Sequence, residues 1–178
     1  MACIWITGLS GAGKSTVSEA LMPLLRENEA CSILLDGDVL REVFGATAIK
    51  GENHNREGRV KLAMKYAHLC RILSQQGVTV VIATISMFAE VHSWNREHIS
   101  GYFEVYLPVP MEELRRRDPK LIYSRYDSGQ ITNVAGLDLT VDEPLKAHFI
   151  SAFDKENDAE SVAKSIWHAY LNNMKKGL

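Results

Sequence analysis

Gly8, Gly13, Lys14 and Ser15, in the stretch WITGLSGAGKST, follow the spacing G-x-x-x-x-G-K-S. These residue types at this spacing suit a polyphosphate. Glycines let consecutive backbone N–H groups converge on anionic oxygens, a lysine reaches the outer phosphates, and a serine hydroxyl can ligate Mg²⁺. The turn Gly8, Leu9, Ser10, Gly11, Ala12, Gly13, Lys14, Ser15 and Thr16 is therefore assigned to ATP, with Mg²⁺ as its companion ion.

A second polar group reads LLDGDVLR, in which Asp36 and Asp38 flank Gly37 and Arg41 follows three residues after Asp38. Asp38 is placed to take the proton of an attacking hydroxyl, with Arg41 holding an anionic part of the acceptor. The plainer reading, Asp38 as a helix cap and Arg41 as a solvated side chain, remains open from the residues alone. Asp36 is the expected carboxylate behind Mg²⁺, reached through water, because the apolar run VTVVIA does not end in an acidic residue. A third group, ELRRRDPK, holds Arg115, Arg116 and Arg117 in sequence. Successive helical residues point about 100° apart, so the three cannot grip one phosphate. Arg117 is assigned to the nucleotide and Lys120 is a second cation.

The elements that must carry these groups are legible as alternating patterns. ACIWIT, CSILL (residues 31–35), VTVVIA (78–83) and YFEVYL (102–107) read as strands. Helical spacing runs over 14–26, over 59–76 with Gly77 as the stop, over 111–117 and over 158–174. Nearly continuous apolar strands alternating with helices imply an α/β three-layer sandwich, a parallel sheet with helices on both faces. Residues 118–143 are polar and poorly periodic, which predicts a mobile lid rather than a core element.

Composition sets bounds. With 178 residues, 46% of them hydrophobic, one sizeable core and a single domain over 1–178 are expected. A net charge of −2 gives no general reason to bind a nucleic acid polymer or an anionic membrane, and no apolar run approaches the ~20 residues of a span. Cys3, Cys31 and Cys70 lack metal or disulfide spacing and read as small core residues of a cytoplasmic protein. The six histidines form no ligand pattern, and Trp94 and Trp167 read as packing anchors. A guanine-reading Asn-Lys-x-Asp motif is absent, and the length suits a small-molecule kinase.

Taken in order, GLSGAGKST, LDGDVLR, FEVYL, RRDPKLIY and GLDLTVDEP resemble the adenylylsulfate kinase family over most of the chain. The resemblance implies a P-loop nucleoside-triphosphate kinase fold and transfer of the ATP γ-phosphate to the ribose 3′-hydroxyl of a small nucleotide, adenosine 5′-phosphosulfate. It implies Asp38 beside the acceptor hydroxyl, Arg41, Arg59, Ile85, Ser86 and Lys120 as acceptor contacts, and 118–143 as the lid. A homodimer is an admissible assembly.

Departures gather on the acceptor side. Where the family has D-R-x-E-N-I-R-R, this chain has Arg59 flanked by Gly58, Lys61 and Leu62. The lid carries Val134 in place of a phenylalanine, and TISMFAE keeps Ile85 and Ser86 but lacks the family arginine. Base stacking on an aromatic ring is worth ~1–3 kcal/mol, so its loss calls for another contact, with Phe44, Phe88 and His54 as candidates, or for another base. The alternative acceptor is a cytidine nucleotide, as in a branch resembling cytidine diphosphoramidate kinase. A non-catalytic nucleotide-binding module is the reading from another class, disfavoured because Lys14, Ser15, Asp36 and Asp38 are all present.

Overall fold

Strand β1 (Cys3–Thr7) is apolar on both sides, and its alternation sorts the molecule into layers. The computed structural model describes residues 1–29, 31–45 and 55–176. Around β1 run β2 (Ser32–Asp36), β3 (Thr79–Thr84), β4 (Tyr102–Tyr106) and a two-residue β5 (Phe149–Ile150), in the spatial order β2-β3-β1-β4-β5. Every pairing is parallel. Helices α1 (Lys14–Asn28), α2 (Gly37–Val43), α3 (Arg56–Gln75), α4 (Ala89–His98), α5 (Met111–Arg117), α6 (Ile122–Asp127) and α7 (Ala159–Lys176) make the connections and the C-terminal layer.

Ile4 and Ile6 of β1 join Val81, Phe103 and Val105 on one face, under Leu21 and Leu25 of α1 and Ile166 and Tyr170 of α7. Cys3 and Trp5 join Val80, Ile82 and Tyr102 on the other, under Ala63, Tyr66 and Cys70 of α3 and Val91 of α4. Strands covered on both faces must be apolar throughout, which is why β1 and β3 read as unbroken runs. This is the expected three-layer α/β sandwich.

Element ends moved where caps decide them. Helix α3 begins at Arg56 rather than Arg59, because the Asn55 side chain accepts the Gly58 N–H at 2.8 Å. Cys31 is exposed, unlike buried Cys3 and Cys70, because β2 starts one residue later. The expectation that 118–143 stands outside the core also needs correction. Helix α6 lies within it, and Tyr123, Val134, Ala135 and Leu139 are buried. Asp118 organises the start of α6, accepting the N–H groups of Tyr123 and Ser124 at 3.1 and 2.9 Å. Six residues are too few to show a helical period, and that hid α6 in the sequence.

Candidate active site

The loop from Gly8 to Gly13 leaves the carboxyl end of β1 and opens into the N-terminus of α1. A Cβ on Gly8 would lie 2.8 Å from the Leu107 carbonyl oxygen, so only glycine lets the loop pack against the chain leaving β4. Gly13 is left-handed at φ 88°, and a Cβ there would meet nothing within 4 Å. The loop is thus pinned from behind by sterics and clear at the helix end, where N–H groups and the helix dipole favour an anion. Lys14 Nζ donates to the Leu9 carbonyl at 2.8 Å across the loop. Burial, and next the nearby charge of Lys120, push the Lys14 pKa down to about 8, against the pull of Asp38 and Asp36.

Ser15 Oγ donates to Asp36 Oδ2 at 2.7 Å, while Asp36 Oδ1 accepts the Asp38 N–H at 2.8 Å. Burial works to raise the Asp36 carboxyl, but the hydrogen bonds from Ser15, Asp38 and Val39 outweigh it and hold the pKa below the usual value. A hydroxyl and an ionised carboxylate side by side at the loop's helix end form a donor set that fits Mg²⁺. Asp36 is also the cap of α2, so the cap role weighed for Asp38 belongs to its neighbour. The Asp38 carboxylate instead pairs with Lys120, both about half exposed.

The three arginines of α5 divide between two carboxylates, Arg115 apart from the other two. Arg115 pairs with Asp127, and Arg116 is held by Glu113 at 2.7 Å. Arg117 is shared between Glu113, at 2.8 Å, and the Gly11 carbonyl, at 3.2 Å, with its guanidinium 5.7 Å from the Phe153 ring centre. Arg117 and Phe153 line a cleft with Ala12, Gly13, Thr16 and Asn157. Phe153 went unseen in the sequence because the chain after β5 carries no periodic signal. Tyr123, whose hydroxyl donates to the Ser10 carbonyl at 2.9 Å, was hidden with α6.

On the other side of Asp38, a small pocket is lined by Arg41, Arg59, Tyr66, Ser86, Phe88 and Ala135, with Ile85 also on its wall. Arg59 donates to the Asn133 carbonyl at 2.7 Å, tying α3 to the 118–143 segment. Burial, and then the adjacent Arg41, lower the Arg59 pKa. Two guanidiniums sharing a partly dry pocket call for an anion. Tyr66 was missed, although Arg59, Leu62, Ala63 and Tyr66 follow the i, i+3, i+4, i+7 rule that puts them on one face of α3. Lys120 sits at Asp38 rather than among the residues of this pocket.

The aromatic substitutes fare differently. Phe88 is on the pocket wall, with the Arg56 guanidinium 5.3 Å from its ring centre. Phe44 packs on Tyr66 at 5.9 Å. His54, and the run 51–53 beside it, lie outside the described residues. Val134 is buried in the core rather than lining the pocket, to which the 118–143 segment contributes Ala135.

Comparisons with known proteins agree with this geometry. The family model for adenylylsulphate kinase matches residues 1–151. A cytidine diphosphoramidate kinase of Campylobacter jejuni is 40% identical over 159 residues, 89% of this chain and 91% of that protein. An adenylyl-sulfate kinase of Pseudomonas aeruginosa is 39% identical over 167 residues, 93% of this chain and 83% of that protein. Among solved structures, the Mycobacterium tuberculosis APS kinase in complex with AMPPNP and APS matches with a TM-score of 0.82 at 28% identity, covering 94% of this chain and 96% of that one. A P-loop beside an acidic pair, an arginine-lined pocket across from it, and the match over most of the chain lead to one conclusion: this chain belongs to the adenylylsulphate kinase family of ATP-dependent kinases.

Proposed function

We propose that this chain transfers the γ-phosphate of ATP to the ribose 3′-hydroxyl of a small nucleotide, with adenosine 5′-phosphosulfate as the first acceptor to consider. The observation that carries this reading is the position of Asp38. Its carboxylate acts on Lys14 of the phosphate loop, and one helical turn along α2 stands Arg41 of the arginine pocket. A hydroxyl held at Asp38 therefore meets the phosphate chain held by Lys14. Asp38 accepts the hydroxyl proton, Lys120 keeps that carboxylate oriented, and Arg41 and Arg59 hold the acceptor's anionic groups. Lys14 and the loop N–H groups balance charge on the transferring phosphoryl group, and Arg117 and Phe153 bound the ATP cleft. Mg²⁺, held by Ser15 and through water by Asp36, would supply further neutralisation of the phosphates.

A second acceptor reading has a specific observation behind it. Val134 is turned into the core, so the lid offers Ala135 and no ring to the pocket. A smaller pyrimidine needs less stacking surface than a purine, and the Campylobacter jejuni relative is a cytidine diphosphoramidate kinase. A cytidine diphosphate derivative is the acceptor on that reading. We also read 1–178 as one kinase domain with 118–143 as its lid, working in the cytoplasm. A homodimer is supported by exposed Val39 and Val43 on α2, apolar surface available to a second copy.

The test is ADP release with no acceptor, with adenosine 5′-phosphosulfate and with a cytidine diphosphoramidate, and ³¹P NMR to locate the new phosphate. Acceptor-dependent release with a 3′-phosphate product is expected. ADP release that no nucleotide stimulates, beside tight ATP binding, would make the chain a binding module instead.

A further inference from the structure

Behind the arginine pocket, in the layer between β4 and α4, the structure buries a charged cluster that the transfer reaction does not use. Glu104 lies in the middle of β4 and is fully buried. Its Oε2 accepts from Arg96, and its Oε1 accepts the Tyr102 hydroxyl at 3.3 Å. The same Oε1 is 3.2 Å from His92 Nδ1, and His92 Nε2 is 3.0 Å from the Ser86 carbonyl oxygen. Ser86 is a wall of the arginine pocket and holds a rare backbone conformation for a non-glycine residue, φ 20°. Its hydroxyl is already committed to Thr84 Oγ1 at 2.7 Å.

The proton count of this chain of contacts is fixed by the acceptors at its two ends. A carbonyl oxygen only accepts, so the contact to Ser86 requires a proton on His92 Nε2. A neutral imidazole then presents Nδ1 as a lone pair, and that lone pair faces Glu104 Oε1. Two lone pairs at 3.2 Å repel, so one additional proton must lie between them, either making the imidazolium or making the carboxylic acid. Burial disfavours both charges. It lowers the His92 pKa to about 4, with Arg96 adding to the effect, and it raises that of Glu104. Both directions put the proton on the carboxyl, Oε1–H donating to Nδ1, while Oε2 still accepts from Arg96 and Oε1 keeps a lone pair for Tyr102.

We propose that His92 and Glu104 share one proton which positions the Ser86 turn, so that Glu104 and His92 are positioning residues for the acceptor nucleotide. The groups around them are Arg96 and Glu90 of α4, Tyr102 of β4, Asp142 of the lid and His148, whose Nδ1 accepts the Glu104 N–H at 3.0 Å. As pH rises and the shared proton leaves, Nδ1 and the carboxylate repel, the imidazole loses its grip on the Ser86 carbonyl, and acceptor binding weakens. ATP binding, which uses the far side of Asp38, does not follow. This inference rests on the pocket being the acceptor site.

The test begins with histidine ¹⁵N NMR on the ligand-free protein, which needs no acceptor. His92 should carry its proton on Nε2 near neutral pH, and an Nδ1–H tautomer there would overturn the proposal whatever the enzyme phosphorylates. Glu104→Gln follows, because its amide N–H can donate to Nδ1 and its carbonyl can accept from Arg96 without titrating. In wild type the KM for the acceptor should rise as the pH is increased above neutral, and Glu104→Gln should abolish that rise while staying within about threefold of the neutral wild-type value and leaving the pH dependence of MgATP affinity, which Lys14 sets, as in wild type. His92→Phe, similar in size but unable to donate, should raise acceptor KM about tenfold at all pH values with kcat nearly kept. If Glu104→Gln shows the same pH-dependent KM as wild type, the shared proton has no part in acceptor binding.

Discussion

Lys14 and Lys120 face one another across Asp38, and their repulsion should be visible in how ATP affinity depends on pH. Only the ammonium form of Lys14 binds phosphate oxygens, and its pKa in the free protein is about 8. About nine-tenths of the side chain is charged near pH 7 and about a tenth near pH 9, so MgATP affinity should fall toward tenfold per pH unit above 8. Removing Lys120 by Lys120→Met deletes a like charge and leaves Asp38 and Asp36 to pull on Lys14, so the alkaline limb should move to higher pH. Calorimetric titration of MgATP without acceptor isolates this effect from any acceptor defect in the variant. The stability sign follows from the same shift. The folded pKa lies below the ordinary lysine value of 10.5, so the unfolded chain binds more protons between about 8 and 10.5, and stability rises with pH through that window. Below it, the buried ammonium costs about 3 kcal/mol. Lys14→Met should therefore lose MgATP binding yet unfold at a higher temperature near pH 7. Affinity that is flat through pH 9, or a limb that stays in place in Lys120→Met, would refute the reasoning.

Asp38→Asn should lower kcat by ~10²-fold or more with the MgATP dissociation constant nearly unchanged, since the amide cannot take a proton; an unchanged kcat in single-turnover assays would reduce Asp38 to a partner for Lys120. Val134→Phe places a ring where the side chain is 6% exposed, so it should destabilise the fold by about 1–3 kcal/mol in denaturant titrations and leave acceptor preference as it was. Arg56 bridges Glu90, at 2.6 Å, and Asp142 of the 118–143 segment, at 2.8 Å, through half-exposed side chains. Arg56→Ala should cost no more than about 1 kcal/mol of stability while speeding amide exchange and proteolysis around 133–142, and unchanged exchange there would show that the Asp142 contact with the Ala89 N–H is sufficient.

The nucleotide side of the site was legible because it is nearly local in sequence. Gly8 to Thr16 are consecutive, and their geometry follows from a strand, a steric need for glycine and a helix start. The strands were legible for a related reason, since burial on both faces writes an unbroken apolar run. What the sequence hid was short or cap-determined: the two residues of β5, the six of α6, the Asn55 start of α3. Buried polar groups were hidden more deeply. Glu104 inside YFEVY looks like a lone charge in a strand until His92 and Arg96 are brought to it from α4, beside the Tyr102 hydroxyl of its own strand.

The pocket proposed for the acceptor belongs to that second category, and this explains why the family motifs left the base unresolved. Its wall is made of Arg41 from α2, Arg59 and Tyr66 from α3, Ser86 and Phe88 after β3, and Ala135 from the 118–143 segment, so each residue's meaning depends on the direction its element faces. Val134 illustrates the point. Read along the chain, it is a substitution at a stacking position; in the structure its N–H and that of Asn133 are both held by the Asp138 carboxylate, at 2.6 and 2.7 Å. That turn sends Val134 into the core and Ala135 toward the arginines. On the acceptor reading proposed above, a nucleotide in this pocket would meet Phe88 and Tyr66 beside the two arginines and the Ala135 methyl group opposite. On that reading, the bond from Arg59 to the Asn133 carbonyl ties the Asn133–Asp138 turn to α3 over this pocket, so the choice between a purine and a pyrimidine should depend on that tie and not on the identity of residue 134 alone.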